Sequence, residues 1–406
     1  MTDKPSKSVL LFFILFGTMF LFGFIENIKG VAFPLIKMEF NASHEQQGAM
    51  VSLQAFSYVL FSLAGGILLG RFGIKKAFAC GFAVIIAGLA VMYYMGGFWT
   101  VAGAMFIVAA GTGFFEVSSN ALATQLFTSK AALLMNLLHF FYGAGSSFSP
   151  RAAGFISASF GWRYAYLLCI PLVLAFFIPS LFARFPSALP LPGDSRSASE
   201  KDERVSFFMA VKTPMVWVFS VVLGLLVAVE LSSPNWAGLY FRDMYQLDPK
   251  TTGAAFVSNF FILFTVSRLI SGFAIEKIGY MRSLFICTAA SIFVFILGFS
   301  LGANGIYVLP ALGFFTAIFW PTVLATAMGY FGKNAPIMTS AIIVIAGTIN
   351  AFIQFFIGLT NRLAGPAWGY RSCIVYAAFG LIALVVLAKK MQNRSCPVKE
   401  ARHFNS

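Results

Sequence analysis

Gly66-Ile67-Leu68-Leu69-Gly70-Arg71-Phe72-Gly73-Ile74-Lys75-Lys76 returns in outline 206 residues later as Gly272-Phe273-Ala274-Ile275-Glu276-Lys277-Ile278-Gly279-Tyr280-Met281-Arg282. Each copy closes an apolar run of about 20 residues, the length of helix that crosses a hydrocarbon core, and each then turns through glycine into basic residues. A second pair, Gly161-Trp162-Arg163 and Gly369-Tyr370-Arg371, repeats at an offset of 208. A lone copy would be an ordinary tight turn. Two at nearly the same offset describe a duplicated chain with two parallel halves.

Composition agrees with that reading. The 406 residues are 59% hydrophobic and only 10% charged, which excludes a soluble globular protein and makes the chain a polytopic membrane protein. Twelve spans fit, at 8–36, 46–70, 77–97, 99–127, 131–158, 162–184, 213–240, 250–274, 281–301, 305–330, 336–362 and 369–388. The fold class is therefore all-α, with twelve transmembrane helices in two pseudo-symmetric six-helix bundles. The expected domains are a bundle at 1–184, a polar Pro-rich linker at 185–212 and a second bundle with its tail at 213–406. The net charge of +14 does not imply nucleic acid. The basic residues concentrate in alternate loops, 19 against 6, which places both termini in the cytoplasm by the positive-inside rule. The first apolar run lacks a small-residue cleavage site and is read as a retained span. The five cysteines have no metal or disulfide spacing and are read as reduced packing residues.

Charge inside the spans marks function, because an ionised side chain in hydrocarbon costs roughly 2.5–3.5 kcal/mol on insertion scales and faces a cavity or a partner. Three acids, Glu26, Glu116 and Glu230, and three cations, Lys29, Arg151 and Arg268, lie well within spans. Glu26 and Lys29 share a helix face, flanked by Asn27 and Gly30; they form either a local ion pair or part of a cavity wall. Glu116 and Asn120 also point one way, as do His139 and Tyr142. Such walls suit sugar hydroxyls, and Phe114, Phe115, Phe140 and Phe141 offer rings for stacking or simply for packing. Pro234 frees a carbonyl after Glu230, beside Asn235, Trp236 and Tyr240. Trp236 fits either a substrate contact or an interfacial belt. Asn259, Asn350 and Gln354 are second-half candidates, with helix-to-helix hydrogen bonds as the plainer alternative. Arg268 sits toward the cytoplasmic end of its span and is expected to snorkel or latch, and Arg151 to pair with an acid on the outer side.

The glycine-plus-basic loop resembles that of the major facilitator superfamily. The resemblance implies that Gly70, Arg71, Gly73, Glu276 and Lys277 pack and latch the cytoplasmic side, although Gly70 stands where the family usually has an aspartate. The stretches Glu116-Val-Ser-Ser-Asn120 and Met135-Asn136-Leu-Leu-His139-Phe-Phe-Tyr142-Gly143-Ala-Gly145 are similar to the fucose–galactose–glucose:proton symporter family. That likeness implies a proton-linked, sugar-contacting role for Glu116 and a sugar-binding position at His139. An acid that some members carry late in span one is here Gly30, and His139 stands where they have a sugar-binding glutamine; these departures count against fucose itself, and Lys29 makes an acidic or modified sugar a candidate.

The expected function is proton-coupled secondary transport of a small polar solute, a sugar or sugar derivative, by alternating access. Glu116 is the first proton site, with Glu26 and Glu230 behind it. The substrate contacts are drawn from Asn27, Lys29, Glu116, Asn120, His139, Tyr142, Asn235, Trp236, Asn350 and Gln354, and the conformational set adds Arg151 and Arg268. The alternative is a proton-linked efflux antiporter for drugs or organic metabolites, suggested by Gly145…Pro150…Gly154 and the many phenylalanines. With three histidines and no His-Glu-x-x-His or phosphate-binding loop, neither a metal enzyme nor an ATP-driven pump is indicated. No cofactor beyond a coupling ion, no metal and no nucleic acid are expected. The expected setting is a monomer in a bacterial inner-type plasma membrane.

Overall fold

The computed structural model describes residues 5–127, 131–185 and 207–395. Most of the expected linker, Lys130 and the last eleven residues lie outside them. The first span is two helices, α1 (Pro5–Asn27) and α2 (Lys29–Glu39), which break at Ile28. There follow α3 (His44–Phe72), α4 (Ile74–Tyr94), α5 (Phe98–Leu126) and α6 (Ala131–Phe160). The sixth span divides into α7 (Trp162–Leu167) and α8 (Cys169–Phe182). After the short α9 (Phe207–Lys212) the second half runs through α10 (Pro214–Tyr245), α11 (Ala254–Ile278) and α12 (Tyr280–Ser300). The tenth span is broken into 3-10 turns, α13 (Leu312–Thr316) and α14 (Phe319–Phe331). The chain closes with α15 (Ala335–Ala364), α16 (Trp368–Arg371) and α17 (Cys373–Ser395).

Eleven stretches among the described residues are long and apolar enough to cross a membrane. The twelfth crossing is α6, whose 30 residues reach about 45 Å while its serines, glycines and single arginine lower its hydropathy. Local chemistry starts and stops these helices. Ser43 and Gln46 cap α3 reciprocally, at 3.1 and 2.8 Å, and Pro214 occupies the first turn of α10, where its missing N–H costs nothing.

The duplication is visible in the backbone. Gly73 (φ 84°) and Gly279 (φ 92°) end α3 and α11 in the same left-handed conformation, which residues with a Cβ avoid. The other sequence pair is displaced. Gly161 is left-handed at φ 92°, but its counterpart in geometry is Gly365 at φ 99°, while Gly369 lies inside α16 with its N–H bonded to Asn361 Oδ1 at 2.7 Å.

Two antiparallel seams join the halves. Along one, Gly48 of α3 backs onto Gly358 of α15, and Val59 fills the space beside Gly347. Along the other, Gly154 of α6 meets Lys250 and Ala254, and Gly143 meets Thr265 of α11. There is a third crossing: a Cβ on Gly30 would lie 3.0 Å from Val257 Cγ2 and 3.2 Å from the Pro234 carbonyl oxygen. At the end of the bundle away from the basic-rich loops, side chains bridge the halves as well. Lys37 and His44 approach Asp243 at 3.8 and 3.6 Å, and Arg362 pairs with Glu45.

Candidate functional site

The break at Ile28 places Glu26 and Lys29 against each other, and the two form an ion pair. Lys29 is buried and Glu26 only partly so. Of the two readings open in the sequence, the structure displays the local pair. Asn27 turns the other way, giving its amide to Gly23 O at 2.9 Å and to Ser146 Oγ at 3.0 Å, which ties α1 to α6.

Glu116 stands on a different footing. Most of α5 is buried, but Glu116 and, a turn on, Asn120 are partly exposed inside the bundle. Glu116 makes no hydrogen bond or ion pair among the described residues, and the side-chain oxygen of Asn120 is buried without a partner. Ser118 and Ser119 nearby also hold buried, unpartnered hydroxyls. This is a wall with spare hydrogen-bonding capacity, unlike a closed helix contact, in which such groups are paired.

Across from it, α6 presents His139 and Tyr142, both partly exposed, with the Tyr142 ring 4.8 Å from that of Phe22. The Asn136 side chain lies outside what the structure describes. Phe115 is fully buried against Phe82, at 4.7 Å between centroids, and Phe141 lies 5.0 Å from Phe16, whereas Phe140 is exposed. Packing therefore accounts for Phe115, and Phe140 alone of the four rings is exposed.

In the second half Glu230 is buried with its Oε2 unpartnered. Pro234 does not break α10, which continues to Tyr245. Trp236 is 1% exposed, deep in the core, and donates its indole N–H to Gln354 Oε1 at 2.8 Å; it is not a belt residue. Asn235 reaches the same oxygen at 3.4 Å, and Gln354 donates to Asn350 Oδ1 at 3.2 Å. These four make a network that fastens α10 to α15. The sequence signal for it was present only as isolated polar residues.

Arg268 has its guanidinium carbon 4.4 Å from the centre of the Phe264 ring, and its Nε is buried without a partner. Its charge bears on Glu116, His139 and Tyr142 of the first half and on Glu230 of the second, so it is the cation common to four of the expected residues. Arg151 meets no acid among the described residues; its partner is the side-chain oxygen of Asn259, at 2.9 Å across the α6–α11 seam. Arg71, Glu276 and Lys277 are exposed at the opposite end with no ion pair among the described residues, and Gly70 is partly buried. Sequence reasoning overlooked Asp243, Ser146 and Gln47. The last is 1% exposed with neither side-chain polar atom partnered, a feature invisible before packing is known.

The sequence model described as Major Facilitator Superfamily matches residues 15–353. Among curated proteins, the chain is 24% identical over 389 residues to a glucose/galactose transporter of Brucella abortus, covering 89% of this chain and 91% of that one. It is 22% identical over 428 residues to the L-fucose-proton symporter of Escherichia coli, covering 92% and 94%. Among solved structures, a nucleoside transporter superposes with a TM-score of 0.76 at 11% identity, over 94% of this chain and 99% of that one.

Proposed function

Because the chain belongs to the Major Facilitator Superfamily, a family of multi-pass membrane transporters, we propose that it carries a sugar or sugar derivative together with a proton by alternating access. The names of its relatives support the solute class: a glucose/galactose transporter and a fucose-proton symporter each align over about nine-tenths of the chain. The observation that carries the coupling is Glu116, a partly exposed acid in the middle of α5 without a hydrogen bond or ion pair among the described residues. An acid so placed is costly to leave charged when the site is dry. Loading a proton from one side removes that cost and lets the loaded carrier reorient; losing it on the other side releases the solute.

The remaining geometry supplies the rocking surfaces. The basic-poor end is closed by ties between the halves at Asp243, Glu45 and Arg151, and the charged loop residues at the basic-rich end stand apart. With the termini inside, as the charge bias implies, this is a carrier closed to the outside, in a bacterial inner-type membrane. It acts as a monomer, and the proton is the only coupling species.

Reconstituted vesicles test the reading. Glu116→Gln should exchange labelled hexose across the membrane while failing to accumulate it under an imposed proton gradient. Undiminished accumulation by the variant would overturn the assignment.

A further inference from the structure

The α6–α11 seam has a fixed register. Gly154 lies level with Ala254, Arg151 with Asn259 and Gly143 with Thr265. One antiparallel turn further, the same register brings His139 and Phe140 level with Arg268, and Phe140 is exposed there. Arg268 is therefore a cation held at the mouth of the site. The Phe264 face fixes its plane, and no carboxylate among the described residues lies within ion-pair distance of it. Glu116 of α5 and Glu230 of α10 are close enough to feel its charge, yet neither engages it. Lys29, the other cation of the wall, is occupied by Glu26. Of the other elements packed on α11, α12 and α13 bring no carboxylate or histidine, and α2 brings Glu39, which is paired with Arg163.

A planar guanidinium with unused donors fits an oxyanion, a carboxylate or a phosphate, held by two parallel hydrogen bonds, and of the two the singly charged carboxylate is the one that a single proton balances. We propose that Arg268 is the residue that reads an anionic group on the solute, so that the site takes a sugar acid in preference to the neutral hexose. This rests on the sugar reading above and sharpens it. The charge balance is consistent. An anion entering with one proton, carried on Glu116 or Glu230, adds no net charge to a site that hydrocarbon surrounds, whereas a neutral hexose entering with a proton adds one.

The test is binding to the purified full-length chain, with galactose, galacturonate and the non-sugar carboxylate lactate as probes, in wild type, Arg268→Gln and Arg268→Lys. Galacturonate should bind at least about tenfold more tightly than galactose, the scale of one charge-assisted pair. Arg268→Gln should weaken galacturonate binding far more than galactose binding, so that the preference disappears, and Arg268→Lys should restore part of it. Binding of galactose alone, or an equal loss of both sugars in Arg268→Gln, would overturn the inference and leave the sugar reading standing. Binding of lactate with neither sugar would support the arginine's role and sink the sugar reading. Binding of none of the three would sink both.

Discussion

Lys37 Nζ lies 3.8 Å from Asp243 Oδ2, joining the end of α2 in the first half to the end of α10 in the second. His44 Nε2 reaches the same oxygen at 3.6 Å, and Arg242 approaches the other carboxylate oxygen at 3.4 Å. One acid thus lies against two cations and a histidine, two of the three from the opposite half. Asp243→Asn should loosen this end. Discounted for partial exposure, the pairs are worth about 1 kcal/mol, a population shift of roughly fivefold. A single cysteine replacing the buried Ser258 of α11, in a chain whose natural cysteines are removed, reports it. An impermeant maleimide should label that cysteine about fivefold faster in Asp243→Asn, and an unchanged rate would show that the cluster is not a clamp.

Gly30 of the first half packs directly on the second. In the resembling family some members carry an acid at this place, but here a side chain would run into Val257 and the Pro234 carbonyl. Gly30→Asp is therefore expected to cost roughly 1–3 kcal/mol in the closed arrangement and to slow turnover about tenfold or more. Gly66→Ala, at a glycine with open space around it, is the matched control and should transport normally. Equal turnover in the two variants would contradict the crossing as described.

These two sites show what a sequence displays and what it hides. The turns at Gly73 and Gly279 were legible because a left-handed residue followed by basic residues leaves a local signature. The buried charges were legible because hydrocarbon makes them rare. Partnership was not. An interfacial belt and a protein core are equally apolar along a helix, so Trp236 could be assigned only when Gln354, 118 residues away, appeared opposite its N–H. The neighbours of Arg268 were hidden in the same way, because they are set by the register of α11 against α6. The breaks at Ile28, Leu168 and Ala317–Ile318 were silent too, since the neighbouring helices that accommodate a break are remote in sequence.

The Gln354 network gives a stability prediction. Gln354→Leu keeps bulk but leaves the buried Trp236 N–H without its acceptor, at a cost of about 1–3 kcal/mol. The melting temperature in detergent should fall by several degrees. Gln354→Asn, one methylene shorter, should recover less than half of the loss, because the amide no longer spans α15 to α10. An unaltered melt in Gln354→Leu would mean that the indole finds another acceptor, contrary to the geometry.

Proton dependence separates Glu116 from Glu230. If the competent carrier is the one protonated at Glu116, the loaded fraction rises as the pH on the loading side falls through that group's titration and declines as it rises. The change is up to about tenfold per pH unit for one proton. Wild-type uptake from equal solute concentrations should follow that slope. Glu116→Gln mimics the protonated form permanently, so its exchange rate should be flat across the same range. Glu230→Gln removes a buried acid and should keep the slope while changing the rate. A flat profile in Glu230→Gln with the slope intact in Glu116→Gln would reverse the two assignments and move the proton to α10.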